Sequence, residues 1–229
     1  MSELSRDLSM AKSTVHGMVS ALEEIGAVVR DPPTKRFRLG FTLFELGRLA
    51  YSQIDLKTVA RPILEELMIK TQGSVFLGIL NVDHVTVLDI VESQQDLKIT
   101  APIGASIPLF AGAVGKVFLS SMSAEQALKI INKKALPRFT EKTTVDPELY
   151  YQELRKTREK GYAVDDEEYI MGAWAVASPI KQLGQLMSAI WVVDFKASLD
   201  EKRMKTMIEE TRKAANIISL RTQEPTIIK

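Results

Sequence analysis

Residues 11–25, AKSTVHGMVSALEEI, decide how the first part of the chain is read. Val15, Met18, Val19, Leu22 and Ile25 recur at helical spacing and predict one buried stripe. The opposite face carries Lys12, Ser13, His16, Gly17 and Ser20, small, polar or basic residues that suit close approach to a phosphate backbone and base edges. An ordinary amphipathic helix would show the same stripe, so the flanking segments matter. SELSRDL at 2–8 predicts a short helix with Leu4 and Leu8 inward, and Ser9 and Met10 form a turn. Gly26 stands where a left-handed residue closes a helix. Val28 to Arg30 and Arg36 to Leu39 then predict two hairpin arms around Asp31, Pro32, Pro33 and Thr34. A short helix, a recognition-type helix and a basic hairpin follow the order of a winged helix-turn-helix.

The 229 residues suffice for one large or two modest domains, and 45% hydrophobic with 26% charged residues describes a globular chain with a real core. The absence of cysteine excludes disulfides and thiolate metal sites and fits a reducing cytoplasm. No apolar run approaches the roughly 18 residues of a membrane span. The start, MSELSRDLSM, has no apolar core of a signal peptide. The net charge is only +1, so nucleic-acid binding has to come from a local patch. Arg30, Lys35, Arg36 and Arg38, against Asp31 alone, make such a patch.

Working onward, FTLFELGRLAY at 41–51 predicts a short amphipathic helix, and 56–71 a second one ended by Gly73. From Ser74 the period changes to that of strands. SVFLGIL at 74–80 and HVTVLDIVE at 84–92 predict a hairpin, and LKITAP at 97–102 a further strand. GASIPLFAG at 104–112 is too interrupted for a regular element. Helices are expected at 113–121 and 124–133, and from the Asp146-Pro147 cap to Gly161. Strands follow in YAVDDEE, AWAVASPIK and QLMSAIWVVD, and Ser198 with Glu201 predicts a capping box for a helix running to about Arg221. Helices flanking an antiparallel sheet of five or six strands describe an α+β sensor fold. The expected divisions are 1–40, a linker helix at 41–54, and 55–229.

Enzymatic chemistry finds little support. There is no cysteine nucleophile, no Gly-x-Ser-x-Gly and no phosphate-binding loop, and His16 and His84 lack metal-ligand spacing. No cofactor or metal is expected. Asp165, Asp166, Glu167 and Glu168 could hold a hard cation or form a solvated edge, but on a strand only alternate members can converge. Gly112, Ala113, Val114 and Gly115 mark a loop-to-helix junction. Backbone N–H groups at a helix start bind carboxylates readily; the small residues could equally serve tight packing alone.

KSTVHGMVSALEEIGAVVRD at 12–31, followed by FRLG at 37–40, resembles the DNA-binding module of the IclR family of bacterial transcription factors. GYAVDDEEYIMGAWAVASPI at 161–180 and PLFAGAVGKVFL at 108–119 resemble that family's signatures around its effector pocket, so the resemblance covers nearly the whole chain. It implies a GAF-like effector domain, a linker helix that helps form a homodimer or homotetramer, and cytoplasmic, ligand-responsive binding of operator DNA, expected at a catabolic operon that the protein would serve as repressor or as activator. Lys12, Ser13, Thr14, His16, Gly17 and Ser20 would enter the major groove, and Arg30, Lys35, Arg36 and Arg38 would hold phosphates or reach the minor groove. The pocket would be lined by Leu109, Ala113 and Val114, by Asp165 and Ala175, with Trp174 inward only if a bulge intervenes, and by Leu97, Ile99, Ala101, Ile190 and Val192. Relatives often place serine or cysteine on those last strands. Aliphatic walls here imply a small carboxylate with an apolar or aromatic body, since unmatched ligand hydroxyls are costly to bury. The family usually has arginine where Gly17 stands; glycine removes a phosphate contact and weakens the helix by roughly 1 kcal/mol relative to alanine. It also has one more helix ahead of this start, packing on Leu4, Val15, Val19 and Leu22, so the module is expected to be N-terminally incomplete. The alternative is a small-molecule sensor or interaction module that has lost DNA binding.

Overall fold

A computed structural model describes residues 2–52, 55–133, 135–181 and 187–223. The chain divides into two compact units, Met1–Asp55 and Leu56–Lys229.

The first unit runs α1 (Ser2–Asp7), α2 (Lys12–Glu24), β1 (Val28–Arg30), β2 (Phe37–Leu39) and α3 (Phe41–Ser52). The Ser5 hydroxyl donates to the Met10 carbonyl at 2.6 Å and closes the turn between α1 and α2. Gly26, at φ +71°, ends α2. Its N–H donates to the Glu23 carbonyl at 3.0 Å and that of Ala27 to Leu22 at 2.8 Å, the paired bonds that satisfy the last helical carbonyls. Only Val15 and Val19 of the predicted stripe are buried; Met18, Leu22 and Ile25 are exposed, as are Leu4 and Leu8. The reason is coverage: α2 meets α1 and β1 within this unit, and those short elements shield one edge of the stripe. β1 and β2 pair antiparallel from Val28↔Leu39 to Arg30↔Phe37. Their turn is held by the Asp31 carboxylate, which accepts from the Thr34 N–H at 3.2 Å and from the Thr34 hydroxyl.

The second unit opens with α4 (Asp55–Thr71) and builds one antiparallel sheet from β3 (Ser74–Asn81), β4 (His84–Val91), β5 (Ser106–Pro108), β6 (Ala163–Asp166), β7 (Ala173–Ile180) and β8 (Ser188–Phe195). The spatial order is β5-β4-β3-β8-β7-β6. α5 (Gly112–Ser121) packs on β6, β7 and β8, with α6 (Ala124–Lys133) and α7 (Pro147–Lys160) beside it. α8 (Glu201–Gln223) packs on β7 and β8. Three sequence expectations are corrected. LKITAP is irregular, and the sixth strand lies inside GASIPLFAG at 106–108, where Pro108 is tolerated because β5 is an edge strand. YAVDDEE stops being a strand at Asp166, since Glu167 takes φ +66°. The cap of α8 is Asp200, whose carboxylate accepts the Arg203 N–H at 2.7 Å, while Ser198 lies in a preceding 3-10 turn.

The face opposite α5 is fastened through buried acids. Asp89 on β4 pairs with Arg61 of α4 at 3.2 Å. Asp194 on β8, 2% exposed, accepts from Arg203 of α8, which also donates to the Thr71 carbonyl at 3.2 and 3.1 Å. Arg203→Met leaves that carboxylate buried without its charge partner and should cost about 3–5 kcal/mol in urea unfolding. Adding Asp194→Asn should recover most of the loss; an unchanged unfolding midpoint in the single variant would show that the pair contributes nothing.

Candidate effector cavity and DNA-facing surface

Between α5 and the sheet lies a cavity of about 270 Å³, bounded by β3, β5, β7, β8, the 99–105 segment and the β6–β7 loop. Its walls are largely apolar: Phe76, Ile107, Ala175, Trp191 and Val193 come from the sheet, and Ala113 and Val114 from α5, with Thr100, Ser106 and Tyr169 as polar exceptions. The polar end is built where α5 begins. Ala111 supplies no side-chain cap, so the first N–H groups of this helix lack both an intrahelical acceptor and a capping oxygen.

Asp165, the last inward residue of β6, lies against that helix start and is 7% exposed. Oδ1 accepts the N–H of Glu168 at 2.6 Å and that of Tyr169 at 3.4 Å. Oδ2 presses on Gly112, where an added Cβ would lie 1.8 Å from it and where φ is +43°. Glycine is therefore required at 112 both for space and for conformation. Burial pushes the Asp165 carboxyl above the usual carboxylate range, against the two backbone N–H groups and the charge of Lys116.

The remaining acids of the run are tied to lysines, with Lys196 shared between two of them. Asp166 pairs with Lys196 at 2.6 Å. Glu167 accepts from Lys142, from Lys196 at 3.0 Å and from the Gly172 N–H at 3.0 Å. Those donors, Lys142 foremost, pull its carboxyl down to about 2. Glu168 meets the buried Lys116 of α5 at 2.6 Å, and Lys116 reaches Glu153 of α7 at 2.6 Å. Burial opposes the Lys116 charge, but the two carboxylates outweigh it and raise its pKa. The Thr140 hydroxyl donates to the Glu167 carbonyl and that of Thr143 to the Glu168 carbonyl, both at 2.7 Å, which ties down the loop carrying Tyr169 and Ile170 to the cavity. Among the described residues no histidine or acidic group gathers as a metal site.

Of the expected pocket residues, Ile99, Ala101, Ala113, Val114, Asp165 and Ala175 line the cavity. Trp174 pairs with Asp194 and lies on the other face from Ala175. Four expectations are corrected. Leu97 is 74% exposed on an irregular segment, and Leu109 is buried in the core but is not part of the cavity wall. Ile190 and Val192 face the opposite side of the sheet, because Ala175 pairs with Val193 and places Trp191 and Val193 on the cavity face. Phe76, Trp191, Val193 and Tyr169 were missed. The signal for the three strand residues is register, which alternation within a single strand does not contain, whereas Tyr169 is placed by the loop after Asp166.

On the first unit, Lys12, Ser13, Thr14, His16, Gly17 and Ser20 are all exposed along α2. Arg30, Lys35, Arg36 and Arg38 are exposed on the hairpin, with the Arg30 guanidinium 5.8 Å from the Phe37 ring centroid. A Cβ at Gly17 would meet nothing within 4 Å, so larger side chains fit there.

The first unit is thus a winged helix-turn-helix, and the second is an α+β sheet domain with a cavity suited to a small ligand. Residues 1–32 match the IclR helix-turn-helix domain, and residues 49–220 match the bacterial transcriptional regulator IclR C-terminal domain. The chain belongs to the IclR family, and it is a DNA-binding transcriptional regulator. It is 30% identical to the HTH-type transcriptional regulator KipR of Bacillus subtilis (strain 168), over 96% of this chain and 88% of that protein. It is 32% identical to the acetate operon repressor of Salmonella typhimurium, over 79% of this chain and 66% of that one. These relatives are regulators, not enzymes. In fold it matches a putative IclR regulator from Silicibacter sp. TM1040, with TM-score 0.85 and 21% identity over 100% of this chain and 91% of that one. An IclR homologue from Microbacterium hydrocarbonoxydans, complexed with 4-hydroxybenzoate, matches with TM-score 0.70 and 25% identity, over 96% and 89%. Among the described residues no helix is long and apolar enough to cross a membrane.

Because Asp165 has a raised pKa in the folded chain, the unfolded chain ionises first as pH rises, and stability falls between the ordinary aspartate value near 4 and the raised folded value. Asp165→Asn keeps an oxygen for the loop N–H groups and carries no charge. It should exceed the parent in thermal stability at neutral pH, with the advantage shrinking toward pH 4. An advantage independent of pH would show that the carboxyl is not perturbed.

Proposed function

We propose that this regulator represses a catabolic operon in the bacterial cytoplasm and leaves its operator when a small carboxylate with an apolar or aromatic body enters the cavity. The observation that carries this reading is the uncapped start of α5 beside Asp165, at a polar end of a largely apolar cavity. A helix N-terminus favours an anion, and the backbone N–H groups that open α5 lie at this end of the cavity. The 4-hydroxybenzoate held by one structural relative is an acid of this kind, and another relative is named for an acetate operon.

In this reading residues 1–40 form the DNA-binding domain, 41–54 the linker helix and 55–229 the effector domain. The exposed residues of α2 named above enter the major groove, and Arg30, Lys35, Arg36 and Arg38 hold phosphates or reach the minor groove. Ile99, Ala101, Ala113, Val114, Asp165 and Ala175 contact the effector. A second copy of the chain packs on the exposed apolar face of α3, where Phe41 and Phe44 have ring centroids 5.2 Å apart, giving a homodimer or a homotetramer. Release follows if the acid binds more tightly to an arrangement that fits the operator poorly.

Arg36→Ala with Arg38→Ala should weaken binding to every DNA sequence. It should also flatten the plot of log affinity against log salt by about 0.9 for each phosphate that is no longer neutralised. An unchanged slope would remove the hairpin from the interface. Gly17→Arg should do the reverse, raising affinity and steepening the slope. In gel-shift titrations 4-hydroxybenzoate should lower the DNA affinity of the parent chain but not of Asp165→Ala; an undiminished response in that variant would take Asp165 out of the effector site.

A further inference from the structure

We propose that Trp191 makes the cavity selective for acids carrying a flat aromatic ring, with Phe76 as the partner that holds it in place. The proposal rests on the reading of the cavity as an effector site and narrows the ligand class within it. Phe76 on β3 and Trp191 on β8 are directly paired across adjacent strands. Their ring planes lie 4° from parallel with centroids 5.2 Å apart, and both rings line the cavity. The six-membered ring of the indole extends over Gly78, where an added Cβ would lie 2.8 Å from Cη2 and 2.9 Å from Cζ3. The indole is therefore laid along the strand, in space that any other residue at 78 would fill. Phe76 beside it and the strand below leave it no room to turn.

The result is a rigid π surface where an aliphatic residue would give a yielding one. Ala113, Ala173 and Ala175, with their short side chains, keep the space bounded by that surface open. Aromatic rings meeting in offset or edge geometry gain between about twofold and tenfold in affinity beyond the area they bury. A short aliphatic acid such as pyruvate has no ring to lay against Trp191 and Phe76, and its keto oxygen gains nothing from these two rings and Val193, which disfavours such acids. The chain has two tryptophans, and Trp174 lies on the other face of the sheet, so a quench on ligand binding reports Trp191.

The test titrates the full chain with benzoate, cyclohexanecarboxylate and pyruvate, by calorimetry and by tryptophan fluorescence. Benzoate should bind at least about fivefold more tightly than cyclohexanecarboxylate, which matches it in size but is not flat, and pyruvate should bind most weakly. Trp191→Phe should keep the preference, and Trp191→Leu, checked for folding by its melting transition, should bring the ratio to about one. Equal affinity of the parent chain for the ring acids overturns the proposal, as does a ratio that survives in folded Trp191→Leu. If pyruvate binds as tightly as benzoate, the cavity remains an acid site and only the selectivity falls. If none of the three acids binds, the effector reading falls with it.

Discussion

The buried carboxylate of Asp165 is the constraint on which the second unit's cavity depends. It ends β6, turns the following loop by accepting the N–H groups of Glu168 and Tyr169, and touches the first residue of α5. A buried carboxylate is costly unless hydrogen bonds and nearby charge compensate it. Here two backbone donors and Lys116 offset part of that cost, and burial still outweighs them. Gly112 is the other half of the same constraint, since any side chain there would displace the carboxylate. Strand end, loop and helix start are therefore positioned together.

The charge run that follows shows why a local pattern can be read correctly and still mislead. On a continuous strand, Asp165 with Glu167 or Asp166 with Glu168 would converge, as a cation site requires. Glu167 leaves strand geometry, so alternation no longer holds, and the acids diverge to Lys196, Lys142 and Lys116 on separate elements. The run is neither a metal site nor a freely solvated edge. It is a set of ties that fixes the loop bearing Tyr169 and Ile170, and the burial of Lys116 between two carboxylates makes the tie to α5 the most demanding of them.

Much of the fold was legible in the chain because periodicity and end signals are local. Gly26 closing α2, Asp146-Pro147 opening α7 and Gly161 closing it all act within one turn of their own position. What failed was set at longer range. LKITAP has the composition of a strand, yet the edge beside β4 is taken by Ser106–Pro108. The family resemblance implies Ile190 and Val192 for the pocket, whereas pairing of β8 with β7 and β3 gives the cavity Trp191 and Val193. A shift of one residue moves every side chain to the other face, and no property of β8 alone fixes it. The half-covered stripe of α2 has the same origin: period predicts a face, and only the neighbours decide how much of it is buried.

Which wall can respond to a ligand follows from how each is held. The sheet wall is continuous antiparallel pairing from β4 to β7, and the β6–β7 loop is fastened by lysines and threonines on several elements. The segment bringing Ile99 and Ala101 to the cavity is irregular. It is attached by an exposed bond from the Thr100 hydroxyl to Glu92 at 2.6 Å, by the Lys98–Glu92 ion pair at 3.0 Å and, further on, by two backbone bonds to Val87, the Gly104 N–H to the Val87 carbonyl at 2.8 Å and the Val87 N–H to the Ala105 carbonyl at 3.0 Å. A ligand shifts an equilibrium only through interactions that differ between two states. On the proposed effector reading, the continuously paired sheet would supply affinity and shape in both states. The difference in free energy would then arise at the irregular 97–105 segment and at the uncapped start of α5, where an anion would supply acceptors that the helix itself lacks.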